Sequence, residues 1–302
     1  MSDDTSRIFL VGDNPFHGIS HLSQERARSR PGKDSATDYA DIVLASIDTG
    51  ANGFMFSVSE TTLSILKNIR ERKRIEEVKL YPIIPYAFEY VRIATQTGTP
   101  GLAQRFAKQI ALSGDVRATL SGMKGVMQMN PPDLLKTYLA YELSRLKSAT
   151  GTTKNLASLF LHEVITDMSL ALNLKWLFTD YSAFISKKKL TPGFHTRNLP
   201  FLLNKFAEWG IDPNKCLITT PFNKAGFQMN PNREACERSL ATLSSPVVLA
   251  ISVFAGGYFK PSEALEYLAT LDHLKGVVAG VSSQQQAHET FGLFKSTLTK
   301  NL

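Results

Sequence analysis

Eight short apolar runs alternate with longer stretches whose apolar residues recur at helical spacing. The runs are Ile8–Val11, Gly53–Ser57, Val78–Ile84, Leu156–Leu161, Thr191–Phe194, Cys216–Thr220, Val247–Ile251 and Val277–Gly280. Strand and helix alternating over about 250 residues predict an α/β fold, a parallel (βα)8 TIM barrel. We expect residues 1–302 to form this single barrel domain. Polar residues that follow the runs would then meet at the C-terminal face, where barrel active sites lie.

One interval of the chain is much longer than the others. Between the third and fourth runs, Gly98-Thr-Pro-Gly101 and Asn130-Pro-Pro132 separate predicted helices, and Asp133–Ser148 has the pattern of the regular third helix. Residues 86–130 are therefore predicted to form a helical insertion on the C-terminal, active-site face. Such insertions commonly form lids or partner surfaces, and we expect any homo-oligomer to form through this one.

The helices also carry boundary signals. The fourth helix is expected over Asp167–Ile185 and the fifth over Leu199–Trp209, which Gly210 ends. The second helix begins at Ser59, but Thr62 stands where a capping box has Glu or Gln. That N-cap is therefore a modest signal.

Composition indicates a soluble cytoplasmic protein. The chain has 302 residues, 43% of them hydrophobic, and lacks the roughly 18 consecutive apolar residues that a membrane helix needs. Its acidic N-terminus enters a strand at once, so we expect no signal peptide. The only cysteines, Cys216 and Cys236, do not suggest a disulfide framework. The net charge of +7 is compatible with an anionic substrate or a solvated basic face, and no specific nucleic-acid signature accompanies it.

Four of the six histidines follow predicted strand ends. His17 and His21 come after the first strand, His162 after the fourth and His195 after the fifth. Neutral imidazoles serve either as acid–base groups or as ligands of a divalent transition metal. The spacing leaves both roles open. The other two, His273 and His288, are expected on outer helices, in structural or solvated roles.

The turn after the first strand is the sharpest local pattern. Asp13, Asn14, His17 and His21 supply acid, amide and imidazole groups around Gly12, Pro15 and Gly18. The alternative is a turn whose polar groups satisfy its own backbone. On the fourth strand, His162 is the stronger catalytic candidate and Glu163 its orienting partner.

The remaining strand ends supply candidate substrate-binding residues. A guanidinium can hold a carboxylate or phosphate at two points, and small residues before a helix let backbone N–H groups approach an anion. Tight turns that merely require glycine are the alternative for the last two strands. The candidates are Arg197, Asn198, Thr220, Asn223, Gly256, Gly257, Ser282 and Ser283.

Two segments resemble the aldo-keto reductase superfamily. Thr49-Gly-Ala-Asn-Gly-Phe54 with Ser59-Glu60 is similar to that family's second-strand region. Val278-Ala-Gly-Val-Ser-Ser283, followed by Gln284 and Phe291, is similar to its cofactor-binding eighth strand and helix. The resemblance implies a TIM barrel that uses NADP.

The catalytic groups of that family are only partly present. Those reductases use an Asp, Tyr, Lys and His set, whereas the second strand here carries Phe54-Met-Phe-Ser57 where the aspartate is expected. The third strand ends Ile84-Pro-Tyr86, without the lysine. His162 stands in a place equivalent to the family's histidine.

A second resemblance is to a loose set of TIM-barrel proteins without an assigned activity. Its patterns match Asn14-Pro-Phe-His-Gly-Ile-Ser-His21 and Gly193-Phe-His-Thr-Arg-Asn-Leu-Pro200. This similarity favours His21 and His195 as site residues.

The sequence therefore predicts a barrel enzyme of lyase, isomerase or hydrolase type that acts on a small anionic or phosphorylated metabolite. Strand-end histidines would be its acid–base groups or metal ligands. The alternatives are an NADP-dependent oxidoreductase similar to the aldo-keto reductases, and a non-catalytic barrel that binds a ligand or a protein.

Overall fold

A computed structural model describes residues 7–17, 35–85 and 131–298 of the chain. Eight strands form one closed barrel in which every neighbouring pair is parallel. They are β1 Ile8–Gly12, β2 Gly53–Ser57, β3 Lys79–Ile84, β4 Ser158–Leu161, β5 Thr191–His195, β6 Leu217–Pro221, β7 Val248–Ile251 and β8 Leu274–Gly280.

Nine α-helices surround the barrel within the described ranges. They are α1 Ala36–Thr49, α2 Glu60–Glu71, α3 Pro131–Thr150, α4 Glu163–Ala171, α5 Lys175–Lys187, α6 Leu199–Trp209, α7 Arg233–Ala241, α8 Pro261–Leu268 and α9 Gln284–Leu298. The TIM-barrel prediction is confirmed. The proposed insertion at 86–130 and residue His21 lie outside the described residues, so those predictions stay untested.

The predicted fourth helix is in fact two helices, α4 and α5. Asn173 adopts a positive φ of 56°, a left-handed conformation that interrupts an α-helix. Asparagine tolerates this conformation better than most residues, and the helix signal on both sides hid the break. The start also differs, because α4 begins at Glu163, capped by His162, four residues before the expected Asp167.

The cap of α2 is stronger than the sequence suggested. Ser59 Oγ accepts a hydrogen bond from the Thr62 backbone N–H, and the Ser59 N–H donates to Thr62 Oγ1. A threonine hydroxyl therefore completes the reciprocal pair that Glu or Gln usually supplies.

Apolar side chains fill the interior of the barrel below its mouth. Leu10, Met55, Tyr81 and Phe160 belong to this inner cluster, while a larger cluster lies between the strands and the helices. A Cβ added at Gly193 would lie 2.5 Å from the ring of Phe160. The interior is thus packed, and space for a ligand opens only above it.

None of the helices in the described parts of the chain is long and apolar enough to cross a membrane.

Candidate active site

A cavity of about 690 Å³ opens at the C-terminal mouth of the barrel. One end, which we name the acid–base end, holds Asp13, His17, His162, Glu163, His195 and Arg197. The other, which we name the turn end, is lined by the turn at 252–257, by Ser282 and by the side of α9 that carries Gln286 and Glu289. The cavity is therefore continuous from strands β1, β4 and β5 to strands β7 and β8.

Asp13 ties its own turn to the neighbouring strand. Its Oδ2 accepts a hydrogen bond from the Ser57 backbone N–H at 2.7 Å and lies 3.1 Å from His17 Nε2. The carboxylate is buried, and the short 3₁₀ helix Asn14–His17 brings the imidazole back over it. Asp13 thus orients His17 and also joins β1 to β2. The functional role of this turn stays a prediction.

His162 is held as a neutral imidazole with a defined tautomer. Its Nδ1 accepts a hydrogen bond from the Val164 backbone N–H at 3.2 Å, so the ring hydrogen is on Nε2. Burial lowers the pKa of His162 to about 4, and the neighbouring His195 acts in the same direction. The ring is therefore uncharged at neutral pH and carries its hydrogen on Nε2.

Glu163 lies between two basic residues, His195 at the end of β5 and Arg197 just after that strand. Its Oε2 is 3.1 Å from His195 Nε2, and its Oε1 accepts a hydrogen bond from an Arg197 guanidinium N–H at 2.5 Å. Burial raises the pKa of this carboxyl, but the contacts with His195 and Arg197 outweigh burial and lower it well below its usual range. The sequence paired Glu163 with His162, whereas the structure places it as the anionic partner of His195 and Arg197.

Asp167 supports this arrangement from the next turn of α4. It accepts hydrogen bonds from Thr196 Oγ1 and from the Arg197 backbone N–H. Burial raises its pKa despite these donors. The sequence analysis missed Asp167, although its position four residues after Glu163 places both on one face of a helix.

His195 keeps hydrogen-bonding capacity that the described residues do not use. Its approach to Glu163 is close enough for an ion pair, but neither ring nitrogen makes a well-directed hydrogen bond there. The hydroxyl of Thr219, paired with His195 in the sheet register, is also buried without a described partner. Buried polar atoms of this kind are costly unless water or a ligand satisfies them.

The turn end is built from backbone and aromatic surfaces. Gly256 and Gly257 have φ values of 76° and 99°, so the chain reverses sharply after β7. Phe254 and Phe259 line the same region. Small residues beside apolar rings suit a flat, partly polar ligand rather than a metal ion.

Four predicted binding residues do not line the cavity. Asn198 caps α6 and Ser283 accepts a hydrogen bond in the first turn of α9. Asn223 is fully buried and holds the backbone of Phe227, while Thr220 is buried. Asn14, Arg197, Gly256, Gly257 and Ser282 do line the cavity. Asn198, Ser283 and Asn223 hydrogen-bond to nearby backbone, whereas the buried hydroxyl of Thr220 has no hydrogen-bond partner among the described residues.

The predicted metal site has no support among the described residues. Within these ranges, no group of three or more His, Cys, Asp or Glu side chains is arranged to hold a metal ion.

Comparison with solved structures identifies the fold. Two structures from Pseudomonas aeruginosa, both described provisionally as an aldo-keto reductase, match with TM-scores of 0.59 and 0.60. The barrel resembles the aldo-keto reductases. Sequence identities are 11% and 10%, and each match covers 98% of this chain and 93% of the other. No protein-family model and no curated protein matches the sequence.

These matches correct the first functional prediction. The predicted lyase, isomerase or hydrolase reaction is wrong, because the similar structures are described as aldo-keto reductases. At 10–11% identity the comparison establishes the shared fold, and the alternative, an oxidoreductase similar to the aldo-keto reductases, stays a proposal.

Proposed function

We propose that this protein is an oxidoreductase that reduces a small carbonyl compound with a nicotinamide dinucleotide. The observation that carries the proposal is one continuous cavity that joins a neutral imidazole to a glycine turn and to α9. Its volume of about 690 Å³ lies in the range of cofactor sites.

The donor set at the turn end suits a dinucleotide. Phe254 and Phe259 offer apolar faces for a planar base, and the Gly256-Gly257 backbone and Ser282 lie where phosphates bind in many barrels. A reduced nicotinamide, when bound, supplies hydride to the carbonyl carbon. The sequence resemblance implied NADP in particular, and the experiment below compares both dinucleotides.

His162 is the group that we place on the carbonyl oxygen. Its ring is neutral and carries its hydrogen on Nε2, so it would donate a hydrogen bond to the carbonyl oxygen as an uncharged group. A preorganised donor aimed at a developing oxyanion commonly contributes about 10²–10³-fold to the rate. His162 would therefore polarise the substrate and stabilise the alkoxide-like transition state.

The His195–Glu163 pair is the group that we assign to proton transfer. The carbonyl gains hydride at carbon and needs one proton at oxygen, and this chain lacks the family's Tyr and Lys pattern. Glu163 Oε2 lies 3.1 Å from His195 Nε2, and we assign to this imidazole beside a carboxylate the transfer of the proton to the product oxygen. His17, paired with Asp13, is the second imidazole at this end.

We further propose that Arg197 receives a negatively charged substituent of the substrate. It is the only Lys or Arg that lines the cavity among the described residues, and its side chain is partly exposed.

A cytoplasmic location accords with two buried, unpaired cysteines.

The test is a titration of the purified protein with NADH and with NADPH, followed by turnover with a panel of aldehydes and ketones. We expect one dinucleotide to bind in the micromolar range and its reduced form to be consumed only when a carbonyl compound is added. His288→Ala, which removes an imidazole outside the cavity, is the matched control and should behave like the wild type.

Failure of both dinucleotides to bind at millimolar concentration would overturn the proposal. Binding without turnover of any carbonyl compound would leave a non-catalytic barrel that binds a dinucleotide, and would equally contradict the assigned reaction.

A further inference from the structure

Two carboxylates one helical turn apart on α4 hold the chain where it leaves β5. Glu163 contacts the side chains of His195 and Arg197. Asp167 accepts hydrogen bonds from the hydroxyl of Thr196 and, at 3.1 Å, from the backbone N–H of Arg197. One carboxylate therefore orients the side chains of this segment, and the other fixes its backbone.

The backbone of Arg197 is held on both sides. Its N–H donates to Asp167, and its carbonyl accepts a hydrogen bond from the Asn230 N–H at 3.0 Å. The fully buried hydroxyl of Thr196 also accepts from the backbone N–H of Asn198, the N-cap of α6. Asp167 thus ties α4 to the turn before α6, and this fixes the position from which the Arg197 side chain enters the cavity.

The Arg197 guanidinium has the capacity to bind a second carboxylate. Its Nη2 donates to Glu163, and the side chain, which lines the cavity, is 34% exposed. A guanidinium has five N–H donors in a fixed fork, so another anion can be held beside the first. Because the Glu163 carboxylate also contacts His195, the guanidinium and the imidazole lie one carboxylate group apart. A substrate that reaches both must carry its anionic group a few bonds from its carbonyl.

We infer that Asp167 positions Arg197 to bind the carboxylate of a short oxo acid. Asp167 holds the Arg197 backbone so that the guanidinium meets this carboxylate beside the His195 imidazole. The inference rests on the proposed function and deepens it, because it names the class of carbonyl compound that is reduced. Asp167 acts here through Arg197 and does not itself touch the substrate.

The experiment is steady-state reduction by the full-length protein of oxo acids with increasing distance between carboxylate and carbonyl, and of the uncharged amide of each acid. We expect the shortest oxo acids to have the highest kcat/KM, at least tenfold above their amides. Asp167→Asn should raise KM for a short oxo acid about tenfold, because the guanidinium is displaced from the carboxylate. The kcat, the dinucleotide affinity and the KM for the amide should stay near the wild-type values.

Three further variants separate positioning from a general loss of stability. Thr196→Ser keeps the hydroxyl that binds Asp167 and should retain the wild-type KM, whereas Thr196→Val should reproduce part of the rise. Asp212→Asn is the matched control, because that carboxylate also accepts a backbone N–H but does not line the cavity. In an Arg197→Ala background, Asp167→Asn should raise KM no further, since the group that it positions is gone.

An equal rise in KM for the oxo acid and its amide, or a further rise in the Arg197→Ala background, would overturn the inference while leaving the proposed function standing. A wild-type preference for the amides or for the longest oxo acids would overturn the substrate class. If Asp167→Asn does not fold, the comparison of Thr196→Val with Thr196→Ser decides by the same KM values. If the wild type reduces no carbonyl compound, the proposed function fails first and the inference falls with it.

Discussion

The two ends of the cavity are built on different principles. At the acid–base end, buried side chains from β1, β4 and β5 control one another's charge, as the lowered pKa values of His162 and Glu163 indicate. At the turn end, glycines with positive φ and aromatic rings set the shape, and Gln286 and Glu289 on α9 are exposed. Substitutions should therefore act through protonation at one end and through backbone conformation at the other.

The largest effect is expected for His162→Ala at the acid–base end. Removing a preorganised donor should lower kcat for carbonyl reduction by about 10²–10³-fold, while the dinucleotide still binds at the turn end. Steady-state kinetics and a binding titration on the same preparation measure both effects. A parallel loss of dinucleotide affinity would show that the two ends are not separable.

Acid pH should destabilise the acid–base end through His162. In the unfolded state His162 is protonated below pH 6.5, whereas in the folded state it is protonated only below about pH 4. Between these values the unfolded state therefore binds more protons. The free energy of unfolding should thus fall by about 3 kcal/mol as pH drops across this interval. Urea unfolding at several pH values measures it.

The control for this pH effect is His162→Asn, which removes the titrating group. The difference between wild type and variant isolates His162 from carboxylates that titrate nearby. Identical slopes against pH would contradict the shifted pKa.

Glu163→Gln should cost about 2 kcal/mol of stability, because Arg197 loses a charged hydrogen-bond acceptor in a half-buried site. The matched control is Glu234→Gln, which breaks an exposed contact of 3.4 Å with Arg233 and should cost less than about 1 kcal/mol. Denaturant unfolding of both variants gives the comparison. Equal losses would mean that the acid–base end behaves like open surface.

The smallest effect is expected at the turn end. Gly257→Ala, at a φ of 99°, should destabilise the fold by about 1 kcal/mol and also weaken dinucleotide binding. Gly210→Ala, at a φ of 68° after α6, imposes a similar backbone cost far from the cavity. Thermal melts should show similar shifts for both, while calorimetry should separate them. Equal affinities would remove the turn from the binding site.

Much of the framework follows from the sequence because strand ends in a barrel share one rim. The periodic pattern located all eight strands within a few residues, and with them Asp13, His162 and His195. Contacts between side chains could not be predicted in the same way. The partners of Glu163 come from a different strand, and no spacing in the sequence indicates that they meet. Asn223 shows the converse, since a polar residue after a strand can also satisfy the local backbone.

The close packing of Phe160 against Gly193 also limits how such a protein can change. A side chain at Gly193 would collide with the ring of Phe160, so this part of the barrel interior has no free volume for a new substrate pocket. Altered specificity in a redesigned version should therefore arise from residues of the rim and its loops.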